Sequence, residues 1–281
     1  MDRSISKTLH ISPKSSAGIS SFFREILDYK DLLYFLAKRE IIILYKQTIL
    51  GFLWAIIRPF FSMILFSLIF GKLAKVSSDG VPYPIFSYVA LVPWTYFSNS
   101  MTKSTESLVK SAGIFSKVYF PRLIIPLTPV IAGLVDFFIA SSVVGIMMFY
   151  FNVFPNFNII YLPLLILIMI VTSSGIGIWF SALAIQYRDV RYTMQFFAQL
   201  LMYAAPVVWP FSIFMEKYGE YTYLYALYPM VGVIEGFRSA LIGTNQMPWD
   251  IILIGTLSSL LIFISGVAYF RKKEKIFADV A

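Results

Sequence analysis

The chain is expected to fold as an all-α integral membrane protein: six transmembrane helices, an N-terminal amphipathic interface helix, and a re-entrant helical hairpin before the last span. Three observations predict this. Of 281 residues, 58% are hydrophobic and only 14% charged, whereas soluble domains carry about 25% charged residues. The apolar residues gather in runs near the roughly 20 that a spanning helix needs. The 23 Lys and Arg are divided unevenly between alternate connections, as the positive-inside rule requires of cytoplasmic loops.

Taken in order, residues 1–48 form a polar N-terminal segment. It lacks the short apolar core that would follow the first basic residues of a signal peptide. Within it Phe22, Ile26, Tyr29, Leu33 and Leu36 recur at steps of four and three, with Arg24, Glu25, Asp28 and Asp31 off the stripe. That spacing gives an amphipathic helix over 22–37, lying in the membrane interface or packed on the rest of the protein. The membrane domain is expected over 49–271, with spans at about 53–72, 83–101, 123–151, 159–187, 192–214 and 251–270, and a tail at 272–281.

Individual spans carry local signals. Arg58-Pro59 opens the first, where arginine can snorkel to the headgroups and proline is least disruptive. Pro93 interrupts the second and frees a carbonyl, so it predicts a kink facing protein or a cavity rather than lipid. Asp136 is the one acid inside a predicted span. It reads either as a structural carboxyl bonded to a neighbouring helix or as a transport relay. Ser173, Gly177 and Ser181 share a face of the fourth span and predict close approach of another backbone. Residues 215–249 have apolar runs too short to cross and are broken by Pro229, Gly232, Gly236 and Gly243, hence the hairpin. In it Glu235 and Arg238, three apart, can pair on one helix face. They are a local salt bridge or an outer gate.

Six spans put both termini on one side. Eighteen of the 23 Lys and Arg then fall on that side and four on the other, with Arg58 at the boundary, so both termini are expected in the cytoplasm. The net charge of +8 is accordingly assigned to membrane lipids rather than nucleic acid. With no cysteine and a single histidine, disulfides, thiolate nucleophiles and Cys/His zinc sites are excluded, and no metal site is expected. The phosphate-cradling pattern GxxxxGK[ST] is absent, since Gly71-Lys72 lacks both the earlier glycine and the following hydroxyl residue. No cofactor or catalytic residue is expected in this chain.

Several phrases resemble the permease subunits of bacterial ABC exporters for O-antigen, capsule and teichoic acid. They are Arg39-Glu40, Tyr45-Lys46-Gln47, Leu50-Gly51 and Trp54-Ala55 leading to Arg58-Pro59; Leu91-Val92-Pro93-Trp94 with Tyr96-Phe97-Ser98; Lys117-Val118-Tyr119-Phe120-Pro121-Arg122; Tyr187-Arg188-Asp189-Val190; and Tyr228-Pro229-Met230 with Ile234-Glu235 and Phe237-Arg238. They stand in order over residues 39–270, and the chain departs from the pattern at 111–116, where the family has an Asn-rich approach to the Lys-Val-Tyr-Phe-Pro segment.

The resemblance implies a multi-pass inner-membrane homodimer joined to two copies of an ATPase subunit that holds ATP and Mg. The implied cargo is a polyprenyl-diphosphate-linked glycan leaving the cytoplasm. Lys117, Tyr119 and Arg122 would lie at the coupling to the ATPase. Lys46 and Arg58 would hold the lipid diphosphate or simply snorkel. The 18% aromatic content exceeds what interface belts require, and sugar rings can slide over aromatic faces. Trp94, Tyr96, Phe97, Tyr221 and Tyr225 are therefore expected along the glycan path or in the belt. A lipid or drug exporter of the same architecture is the near alternative. A polyprenyl-linked glycosyltransferase is disfavoured for want of clustered loop carboxylates, and an ion-coupled carrier for want of intramembrane charges.

Overall fold

The computed structural model describes residues 19–46, 48–111, 113, 120–244 and 246–274. Every regular element among the described residues is helical. Among the described residues four helical stretches, Gly51–Leu73, Ile124–Phe151, Phe157–Ala184 and Trp249–Lys273, are long and apolar enough to cross a membrane.

The N-terminal stripe folds as two helices, α1 (Ile19–Asp28) and α2 (Lys30–Lys46), rather than one over 22–37. Backbone bonds from Tyr29 to Glu25 and from Leu33 to Tyr29 carry the chain through the turn. The bend lets the two halves dock differently. Glu25 of α1 pairs with Arg271 at 2.5 Å, while α2 lies along the helix that contains Asp136. Ile26 and Leu33 pack on a small core around Leu108, Phe120 and Phe270, whereas Tyr29 is exposed.

After a 3-10 turn at Gly51–Leu53 comes α3 (Trp54–Phe66), which a π-helical stretch extends to Leu73. It is the most exposed of the long helices: Phe60, Phe61, Leu65 and Leu68 face outward. Gly71 lets its end approach the next helix, since a Cβ there would sit 2.9 Å from the Tyr83 ring.

That next helix, α4 (Tyr83–Lys110), is the axis of the fold. Its 28 residues rise about 42 Å, so it runs well past the predicted end at 101. Most of its side chains are buried, including Phe86, Tyr88, Trp94, Phe97 and Met101. Pro93 is buried inside it, which keeps the freed carbonyl away from lipid as expected. Its polar residues, among them Ser87, Ser100, Ser104 and Thr105, are covered by neighbours, so sequence hydropathy understates how deep it sits.

Two helices enclose α4: α5 (Ile124–Phe151), closed by Asn152 at φ 55, and α6 (Leu162–Ala184). The small-residue face of α6 works within one chain. Gly177 sits against Ser104 of α4. On the other side a Cβ at Gly175 would lie 2.7 Å from Phe263 Cα, and one at Gly266 would meet Gly175 O at 2.5 Å. These contacts bring in the last helix, α11 (Trp249–Lys273).

Between them the expected continuous span over 192–214 is not one helix. α7 (Asp189–Ala204) stops at extended Ala205, and α8 (Phe211–Tyr218) starts after Pro210. Ala205 and Trp209 each precede a proline, which drives a residue out of the helical region. Short α9 (Thr222–Ala226) and α10 (Pro229–Leu241) follow. They lie within 215–249, where a re-entrant helical hairpin is expected, and are short helices rather than a spanning one.

Candidate functional site

The two ends of α4 carry different chemistry. At its N-terminal end the break over 205–210 leaves carbonyls that no helix satisfies. Arg238 of α10, fully buried, donates through Nη2 to Val207 O at 2.9 Å and through Nη1 to Trp209 O at 3.5 Å. Tyr83 donates to Val208 O at 2.5 Å, and Tyr225 to Ala204 O at 2.6 Å. Arg238 also pairs with Glu235 at 2.7 Å, the pairing its spacing predicted, and its guanidinium lies 3.6 Å from the Phe86 ring centre. A buried arginine is costly unless its donors are used. Here they are, and the irregular backbone is enclosed by protein, the condition under which a membrane tolerates it.

Beside this pair is a cavity of about 560 Å³ reached by Phe211, Ser212, Tyr223, Glu235 and Asp250. Tyr225 stacks on Trp209 and Phe211 at 5.9 Å, while Tyr221 is 57% exposed.

Along the rest of α4 two adjoining cavities separate it from α2, α3 and α5. The first, about 400 Å³, is lined by Arg39, Glu40, Lys103, Lys110 and Phe120 among others. The second, about 310 Å³, is lined by Tyr45, Trp54, Arg58, Thr95, Asn99, Lys103 and Asp136 among others. Leu44, Lys103 and Pro129 belong to both, so they form one cleft. Burial pushes the Glu40 carboxyl above its ordinary range, with Lys103 and Lys110 drawing it back. Lys110 is held by Glu106 at 2.6 Å. Among the described residues neither Arg58 nor Lys103 forms an ion pair.

Asp136 faces this cleft and accepts a hydrogen bond from the Tyr45 hydroxyl, which joins the end of α2 to the middle of α5. This is the neighbouring-helix bond expected of a structural carboxyl. Lys46 is exposed and lies outside the cleft lining, so the structure brings Arg58 together with Lys103 rather than with Lys46. Trp94, Tyr96 and Phe97 are buried within the single chain: Tyr96 donates to Val130 O at 3.0 Å and borders the cleft, and Trp94 packs on Phe97 at 5.5 Å. Lys117 and Tyr119 lie outside the described residues. Arg122 is described and donates to Glu274 O at 2.7 Å, near the Arg271–Glu25 pair. The start of α5, the end of α11 and α1 thus meet at one place.

Residues 31–242 match the family described as ABC-2 type transporter. The chain belongs to that family. Among similar members are the O-antigen export system permease protein RfbA of Myxococcus xanthus, 24% identical over 255 residues, and RfbA of Klebsiella pneumoniae, 26% identical over 251. These alignments take in 90% and 89% of this chain and 96% and 95% of the relatives. The polysialic acid transport protein KpsM of Escherichia coli is 24% identical over 245 residues, covering 84% of this chain and 91% of KpsM. For an ABC-2 type transporter the features that matter are a passage, a contact with a motor and a grip on cargo rather than a reacting centre. The Tyr45–Asp136 contact and the place of Lys103 beside Arg58 were not evident from spacing, because these partners stand 91 and 45 residues apart and meet only in the folded chain. The helix break did have a signal, in Pro206 and Pro210 four residues apart.

Proposed function

We propose that this chain is the membrane-spanning permease subunit of an ATP-driven exporter that moves a polyprenyl-diphosphate-linked polysaccharide, O-antigen-like, from the cytoplasmic side across the inner membrane. The observation that carries this reading is end-to-end similarity to O-antigen export permeases, over 90% of this chain and 96% of the Myxococcus relative. The similarity to KpsM supports capsular polysaccharide as the second cargo; teichoic acid is a further variant of the same reading.

In this proposal two copies assemble with two copies of an ATPase subunit, which binds ATP and Mg. The chain itself is not an enzyme. It crosses six times: the four long apolar stretches are joined by α4 and by the broken α7–α8 segment. The helices α9 and α10 form the re-entrant hairpin and α1–α2 the interface helix, within an N-terminal segment of 1–48, a membrane domain of 49–271 and a tail of 272–281. Both termini face the cytoplasm. Lys117, Tyr119 and Arg122 receive the motion of the ATPase. The assignment is supported by Arg122, whose bond to Glu274 O would pass that motion to the end of α11. The exposed apolar faces of α3 and of α7, with Phe196, Leu200 and Tyr203, supply surface for lipid and the second copy.

The glycan path is assigned to Tyr221 and Tyr225 at the aromatic end and to Trp94, Tyr96 and Phe97 along α4, with the buried Glu235–Arg238 pair bracing the outer gate beside the first. Exposed Tyr221 is the better probe of that path. Tyr221→Ala is expected to lower export while leaving the amount of folded permease unchanged. Truncating buried Trp94 would cost on the order of 3–5 kcal/mol of stability and so reports on folding first.

The decisive experiment restores export in a permease-deleted O-antigen strain with this chain and its cognate ATPase, scored by surface glycan. Glycan retained on its lipid carrier inside, with both subunits assembled and hydrolysing ATP, would reject the cargo. ATP hydrolysis by this chain alone would reject the division of labour.

A further inference from the structure

In the cleft between α2, α3, α4 and α5, cations converge on a cavity without full compensation. Arg39, Arg58, Lys103 and Lys110 face it, against Glu40 and Asp136. Of these, Lys110 is already held by Glu106 and Asp136 by the Tyr45 hydroxyl. Arg58 and Lys103 come from different helices, have no ion-pair partner among the described residues, and border the same cavity of about 310 Å³. Asn99 and Thr95, one and two turns of α4 before Lys103, add neutral hydrogen-bonding groups on the same wall. The opposite wall is α3, whose Trp54 reaches both the cleft and the exterior at 43% exposure, with the Arg58 guanidinium 5.7 Å from its ring. Beyond Trp54, the outer side of α3 is a run of exposed apolar side chains, Phe60, Phe61 and Leu65.

We infer that this cleft holds the diphosphate of a polyprenyl carrier, gripped by Arg58 and Lys103, with the hydrocarbon chain lying along the outer side of α3. A cationic cavity alone would suit any anion. A cationic cavity opening beside an uncovered apolar helix suits an amphiphile with a phosphorylated head. Arginine can engage two phosphate oxygens through its planar fork while lysine adds a point charge. The inference rests on the reading that the cargo travels on a lipid diphosphate, and it replaces Lys46 by Lys103 as the partner of Arg58.

Binding of tritiated geranylgeranyl diphosphate to the full chain with its ATPase in phosphatidylcholine nanodiscs tests it. Saturable binding is expected, with geranylgeraniol and inorganic pyrophosphate each competing poorly. Arg58→Gln and Lys103→Gln should each weaken it by about tenfold, the loss of one charge-assisted hydrogen bond. Lys103→Arg should restore most of it, and Lys46→Gln should leave it unchanged; size-exclusion profiles establish that each variant is folded. Wild-type binding with both Gln variants unaffected would overturn the site but leave the cargo reading standing. No binding by the wild type would overturn the lipid-diphosphate reading itself. Equal displacement by phosphatidylglycerol would make the cleft a site for bulk anionic lipid and overturn the carrier assignment.

Discussion

The two ends of α4 use the same side chains for opposite purposes. Near Tyr83, Arg238 is fully buried and its guanidinium is spent on Glu235, on two carbonyls of the helix break and on the Phe86 ring. Near Lys103, Arg58 and Lys103 border a cavity and form no ion pair among the described residues. The difference teaches that an arginine in a membrane protein is classified by whether its donors are used, not by its depth. A saturated cation holds backbone in place, whereas an unsaturated one beside space is available to a ligand.

Variants can break or sharpen that contrast. The largest effect is expected at Arg238→Ala, which strands Glu235 and the Val207 and Trp209 carbonyls. Breaking a buried pair costs about 3–5 kcal/mol, so little folded protein should survive detergent extraction. Near-normal yield and melting temperature would mean that the break holds itself. Replacing both partners, Glu235→Leu with Arg238→Met, removes the charge problem but leaves the carbonyls; its stability should fall between the single variant and the parent. Full recovery would show that Arg238 does nothing for the backbone.

Gly266→Val comes next, because its side chain would run into Gly175 O, 2.5 Å from the added Cβ. Overpacking of this kind costs about 1–3 kcal/mol, and the melting temperature of the purified chain reads it. Tyr45→Phe should lose about 0.5–1.5 kcal/mol by removing the donor to Asp136. If the bond also ties α2 to the membrane helices, proteolysis of the N-terminal segment should quicken with no change in the rest of the pattern. The smallest effect on stability, within about 0.5 kcal/mol, is expected at Arg58→Gln and Lys103→Gln. A large loss there would show that these cations are structural like Arg238 and would dissolve the contrast.

How legible this was in the sequence varies by element. The helices expected at 123–151 and 251–270 are found with nearly those bounds, because long apolar runs leave the backbone no partner in lipid but its own helix. The helix at the second expected span continues past 101 to Lys110. Its C-terminal half, with Thr102, Lys103 and Ser104, reads as polar loop by hydropathy and is helix because α5 and α6 cover it. The apolar run over 192–214 reads as one span, yet Pro206 and Pro210 break it by forcing Ala205 and Trp209 out of the helix. The pairing of Glu235 with Arg238 followed from helical spacing, but its task of satisfying the break did not.

By itself the sequence determined an all-helical chain with apolar stretches long enough to cross a membrane, and motifs that mark an exporter permease. These are local properties: a run of apolar residues leaves the backbone nowhere to bond but within its own helix, and a motif survives in one dimension. Only the tertiary structure decided which cations are spent and which are available, that Asp136 is bonded by Tyr45, and that α4 is the axis. Each depends on which distant side chain occupies the next few ångströms, and no periodicity along the chain encodes that.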